Sequence, residues 1–163
     1  MKLLAIDPSS TRTGYAVMGG PTELVDAGYL TPARAKDGVE LRIEAMVADL
    51  REVLQEYQPD HVVIEVPSGR KGRGYAAGGG ARLATYGRAV GHFERVVWDV
   101  VGVDHVSSVT EREWTKRRTP AQRAAFVRQC FPAQTTALEV SDKGHDVSDA
   151  IGIGLWWLER HQY

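Results

Sequence analysis

The chain is short of cysteine, of long apolar runs and of net charge, and each shortage excludes something. One cysteine, Cys130, excludes a small fold stapled by disulfides. No apolar stretch approaches the roughly 20 residues that a membrane-crossing helix needs. Lys2 precedes only Leu3, Leu4, Ala5 and Ile6 before Asp7, too short an apolar stretch for a secretion signal. A lone thiol without such a signal reads as cytoplasmic. Cys130 lies in an apolar helical stretch and is expected in the core. No repeat or linker divides the chain, and 163 residues with 43% hydrophobic content suit one domain.

Net charge is −1. Nucleic-acid-binding domains tend to be basic, so the total alone argues weakly against that class. The charges are segregated, however. Residues 1–65 carry a net −5 and residues 66–95 a net +5. Residues 111–128 carry a net +4, and the remainder a net −5. Two basic blocks therefore alternate with acidic ones.

Residues 2–7, 14–18 and 23–30 read as three strands separated by turn chemistry at Pro8–Thr11 and Gly19–Pro21. Residues 39–57 place Val39, Ile43, Met46, Val47, Leu50, Val53, Leu54 and Tyr57 on one helical stripe. Pro59 ends that helix. His61 to Glu65 is a fourth strand, reached by a parallel crossover. A basic, glycine-rich loop over 67–80 leads to a helix over 81–98. Residues 104–109 form a fifth strand. Thr119 and Pro120 open a helix to about Phe131, as N-cap and first residue. His145 to Glu159 is the last helix. The order βββαβαβαα predicts an α/β fold, a mixed five-stranded sheet flanked by helices.

Acids end two of the apolar strands. Asp7 closes the first and Glu65 the fourth. If these strands are parallel neighbours, both carboxylates emerge at one sheet edge, where such folds place ligands. Asp146 and Asp149 share a face of the last helix, with His145 just before them. Singly, each acid has a simpler reading: Asp7 as a turn residue, Asp146 and Asp149 as helix N-terminal charges. Together, four acids from three elements repel one another, and a divalent cation relieves that repulsion. Oxygen donors select Mg²⁺ or Mn²⁺, and a pair of such ions can drive phosphodiester hydrolysis.

Three segments carry a resemblance. Leu4-Ala-Ile-Asp7-Pro-Ser-Ser-Thr-Arg-Thr-Gly14-Tyr-Ala-Val17 resembles the first hairpin of the RuvC family of Holliday-junction resolvases. Val62-Val-Ile-Glu65 resembles its second acidic strand. His145-Asp146-Val-Ser-Asp149-Ala-Ile-Gly-Ile-Gly-Leu155 resembles its C-terminal acidic helix. The resemblance implies a ribonuclease-H-like fold, a homodimer, and Mg²⁺-dependent nicking of paired strands at a four-way DNA junction in recombination, repair or phage DNA processing. It implies Asp7, Glu65, Asp146 and Asp149 as metal ligands, for two ions per site. It leaves His145 as ligand, proton shuttle or cap neighbour. Lys116 falls where the family has an active-site lysine. The chain departs from the family after Glu65, where a phenylalanine-containing loop is usual. Tyr75 is the aromatic residue available there, either to wedge at the junction centre or to pack on the following helix. The short, atypical chain fits a phage or divergent member.

The basic blocks then read as DNA contacts. Arg70, Lys71 and Arg73 lie in the glycine-rich loop, whose backbone can approach phosphates closely. Arg112, Lys116, Arg117 and Arg118 precede a helix N-terminus. Gly87 and Gly91 permit close approach of another helix, as a dimer seam or as packing on the sheet. Other readings stay open: a related nuclease acting on RNA precursors or flaps, or a non-catalytic junction-binding protein.

Overall fold

The computed structural model describes residues 1–31, 34, 36–67, 79–134 and 145–161. Strands β1 (Leu3–Asp7), β2 (Thr13–Gly20) and β3 (Glu23–Leu30) form an antiparallel meander. Helix α1 (Val39–Tyr57) crosses to β4 (His61–Val66), which pairs parallel with β1. Helix α2 (Gly79–Val101) and a 3₁₀ turn at Val103–His105 lead to β5 (Val106–Thr110), parallel to β4. The sheet order is β3-β2-β1-β4-β5. Then come α3 (Glu111–Thr115), α4 (Pro120–Cys130), a 3₁₀ turn at Pro132–Gln134 and α5 (Asp146–His161).

The predicted mixed five-stranded sheet is the observed one, with one addition. Between β5 and α4 the sequence reading has no helix, and the structure has α3. A capping box nucleates this short helix: Glu113 accepts from the backbone N–H and hydroxyl of Thr110 at 2.8 and 2.6 Å. The Thr119 cap of α4 is as expected, with Gln122 completing the reciprocal box. Among the described residues no helix is long and apolar enough to cross a membrane.

Strand alternation divides the core into two layers. Leu4, Ile6, Val17, Val62 and Ile64 face α1 and α2, where they meet Met46, Leu50 and Phe93. Leu3, Ala5, Ala16, Met18 and Val63 face the other side, against Ile151, Leu155 and Trp157 of α5 and Trp114 of α3. Cys130 is half-buried and packs at the margin of this second layer, not at its centre. The period of two carries the argument past the core. Asp7 follows Leu3 and Ala5, and Glu65 follows Val63, so both carboxylates belong to the α5 face.

Candidate active site

Ile6 pairs with Ile64 across the parallel β1–β4 ladder, which makes Asp7 and Glu65 the next rung. Helix α5 begins over this edge. Gly14 lies opposite Asp7 in the β1–β2 ladder, and a Cβ there would collide with the Asp146 carbonyl. The absence of a side chain at Gly14 is what lets the first turn of α5 descend onto the strands. That turn supplies Asp146 and Asp149, so all four predicted acids come from converging elements.

Electrostatics register the convergence. The carboxyl of Asp7 is held well above its usual range, first by desolvation and then by the charges of Glu65, Asp149 and Asp146. Glu65 is pushed up to about 7, again first by burial, with Glu111 and Asp149 adding to it. Two donors oppose that rise. Trp114 Nε1 donates to Glu65 Oε2 at 2.5 Å, and the Tyr86 hydroxyl donates to Oε1 at 3.3 Å.

The helix acids are bound to arginines. Arg12, from the β1–β2 turn, reaches Asp146 Oδ2 through Nε at 2.8 Å and a terminal nitrogen at 2.7 Å. Its guanidinium also lies 4.3 Å above the Tyr29 ring. Arg123, on the buried face of α4, grips both Asp149 oxygens at 2.7 and 2.6 Å. This fork-to-fork pairing is the strongest geometry available to the two groups. A third bond from Arg123 reaches the Arg118 carbonyl at 3.1 Å, and its guanidinium stacks 5.0 Å from the Trp114 ring. Among the described residues no three acid, histidine or cysteine side chains are gathered as ligands of one ion. The donors are all carboxylate oxygens, the chemistry that suits a hard cation.

The other predicted residues are dispersed. His145 directly precedes α5 with a left-handed backbone, φ 65°, and its carbonyl accepts from Asp149 N–H at 2.8 Å. Lys116 also has a left-handed backbone, and its ammonium pairs with Glu159 at 3.1 Å. Glu159 lies ten residues beyond Asp149 on the same helix, roughly 15 Å along the axis, so Lys116 is not directed at the acids. Arg112, Arg117 and Arg118 are exposed. Arg118 stacks on Phe126 at 4.3 Å. Arg70, Lys71, Arg73 and Tyr75 fall outside the described residues.

Sequence reasoning assigned no site role to Arg12, Tyr86, Trp114 or Arg123. For Arg123 a signal was present. It sits four residues before Val127 and eight before Phe131, on the stripe that α4 buries.

The family model of the crossover junction endodeoxyribonuclease RuvC matches residues 3–70. A relative of that name from Geotalea uraniireducens is 40% identical over 68 residues, 40% of this chain and 39% of the relative. The matched segment thus spans about two fifths of that relative's length. A second, from Chlorobium chlorochromatii, is 27% identical over 95% of this chain and 78% of its own. Among solved structures, Thermus thermophilus RuvC in complex with a Holliday junction substrate superposes with a TM-score of 0.70 at 17% identity. It covers 96% of this chain and 92% of its own. Fowlpox virus resolvase with Holliday junction DNA matches over the full length of both chains, with a TM-score of 0.59 and 11% identity.

Proposed function

We propose that this chain is a RuvC-like, cation-dependent endonuclease that resolves four-way DNA junctions by paired nicks, a reading supported by the family match over residues 3–70 and by the relatives and solved structures it resembles. The carrying observation is the rung that sets Asp7 beside Glu65, with the first turn of α5 seated over it. Asp7, Glu65, Asp146 and Asp149 would hold Mg²⁺ or Mn²⁺, two ions per site. When bound, such ions activate water and stabilise the leaving oxygen of a phosphodiester. The protein's own part is to fix the carboxylates on rigid strands and a helix, and to hold them in a desolvated pocket. Arg112, Arg117 and Arg118 would contact backbone phosphates at the α3–α4 turn, with Arg70, Lys71, Arg73 and Tyr75 completing the DNA face.

A synthetic four-way junction tests this directly. With Mg²⁺ or Mn²⁺, and with cuts mapped on all four strands, symmetric nicks on two opposed strands are expected. Flap and RNA-precursor substrates run alongside. Cutting of those with an intact junction would refute the assignment.

Paired nicks need two active sites, and α2 offers the surface for a homodimer. Gly87 and Gly91 are exposed, and a Cβ at either meets no atom within 4 Å. They do not pack on the sheet. Leu83 and Trp98, 37% and 40% exposed, lie on the same helical stripe. Small residues flanked by exposed apolar ones on one face suit a self-complementary contact between two copies. Gly91→Arg is expected to sediment as a folded monomer and to give uncoordinated single nicks. A dimeric Gly91→Arg chain would place the seam elsewhere.

A further inference from the structure

We infer that Arg123 and Trp114 are positioning residues for the carboxylate site, acting through Asp149 and Glu65. The inference rests on the nuclease reading above and deepens it. Glu65 and Asp149 come from opposite components of the site, a strand and a helix. Their carboxylates must keep a fixed relation for both to serve one cation centre. The physical link between them is the stack of Arg123 on Trp114: the arginine fork holds Asp149, and the indole N–H holds Glu65.

Several independent features fix that stack. Arg123 is only 9% exposed, so its charge faces the protein and not DNA. Its remaining bond to the Arg118 carbonyl ties it to the turn before α4. Trp114 is 5% exposed and lies against α5 at Gly152, where a Cβ would come within 2.9 Å of the ring. The capping box at Thr110 and Glu113 anchors the short helix that carries Trp114. Buried partners that orient ligating groups are worth on the order of 10–100-fold in metal affinity or activity.

Two conservative variants isolate the effect. Arg123→Lys keeps the charge and loses the two-oxygen grip. Trp114→Phe keeps a smaller aromatic ring at this buried position and removes the N–H on Glu65. Mn²⁺ affinity of the free protein, read by electron paramagnetic resonance, is expected to weaken about 10–100-fold in each. Junction affinity without cation stays unchanged, and in cutting assays kcat falls while KM holds. Trp114→Phe carries the test if Arg123→Lys melts early. Variants that bind Mn²⁺ as well as the parent, or more tightly, overturn the inference. A fall in junction affinity at Arg123→Lys also overturns it, because that is the behaviour of a DNA contact. A parent chain that binds no Mn²⁺ instead overturns the nuclease reading itself.

Discussion

Asp7→Asn is expected to stop junction cutting and to raise the melting temperature of the cation-free protein. The two effects have one cause. Asp7 ends β1 where burial and three neighbouring carboxylates all disfavour its charge. A cation would exploit that unfavourable field, and in its absence the field costs stability. Asparagine keeps the shape and removes the charge. The expected loss of activity is on the order of 10³-fold, the upper end of what deleting one preorganised electrostatic group costs. The sign of the stability change follows by linkage. A carboxyl raised above its unfolded value takes up its proton more readily in the folded state. The parent therefore gains stability as pH falls from the raised value toward the ordinary 3.8. The variant lacks this contribution, so its advantage is largest at neutral pH and fades in acid. Added Mg²⁺ should stabilise the parent and leave the variant unmoved. Calorimetry with and without Mg²⁺, beside a junction assay, reads all three. An Asp7→Asn chain that cuts like the parent, or melts below it, would remove Asp7 from the site.

The acids of this site are legible in the sequence because strands have a period of two and helices one of 3.6. Apolar runs ending in Asp7 and Glu65 announce themselves, and so does the pair three apart at Asp146 and Asp149. The partners of those acids are not legible in the same way. Arg123 counts as one more base in the block over 111–128, which reads as a DNA-facing surface. The structure turns it inward onto Asp149, and it turns Lys116 toward Glu159. A charge count records how many cations a segment has and not which way they face. The turn of Lys116 and Arg117 through left-handed backbone, at φ 50° and 66°, decides their direction, and no local pattern encodes it. Trp114 was hidden for a related reason. Its ring is buried in the core while its edge donates a hydrogen bond, and no spacing in the sequence marks that double role.

The second large effect is expected at Gly14, which carries no chemistry at all. Gly14→Ala should lower stability by about 1–3 kcal/mol, roughly 3–10 °C in a domain of this size. It should also reduce cutting on the order of 10²-fold, the cost of about 1 Å of misplacement at a reacting centre. The methyl group would meet the backbone of Asp146, not a side chain that can swing aside. Strand β2 is held between β1 and β3, so the first turn of α5 is the part able to yield. Yielding there lifts Asp146 and Asp149 away from Asp7 and Glu65, so the strain is relieved at the expense of the site. Gly20→Ala is the control: it lies in the same strand with nothing within 4 Å of its Cβ position, and neither readout should move. The comparison separates fold from site. If Gly14→Ala loses stability but cuts at the parent rate, the first turn of α5 is not part of the active centre. If cutting falls far beyond the stability loss, the close approach of helix to strand is what assembles the four carboxylates.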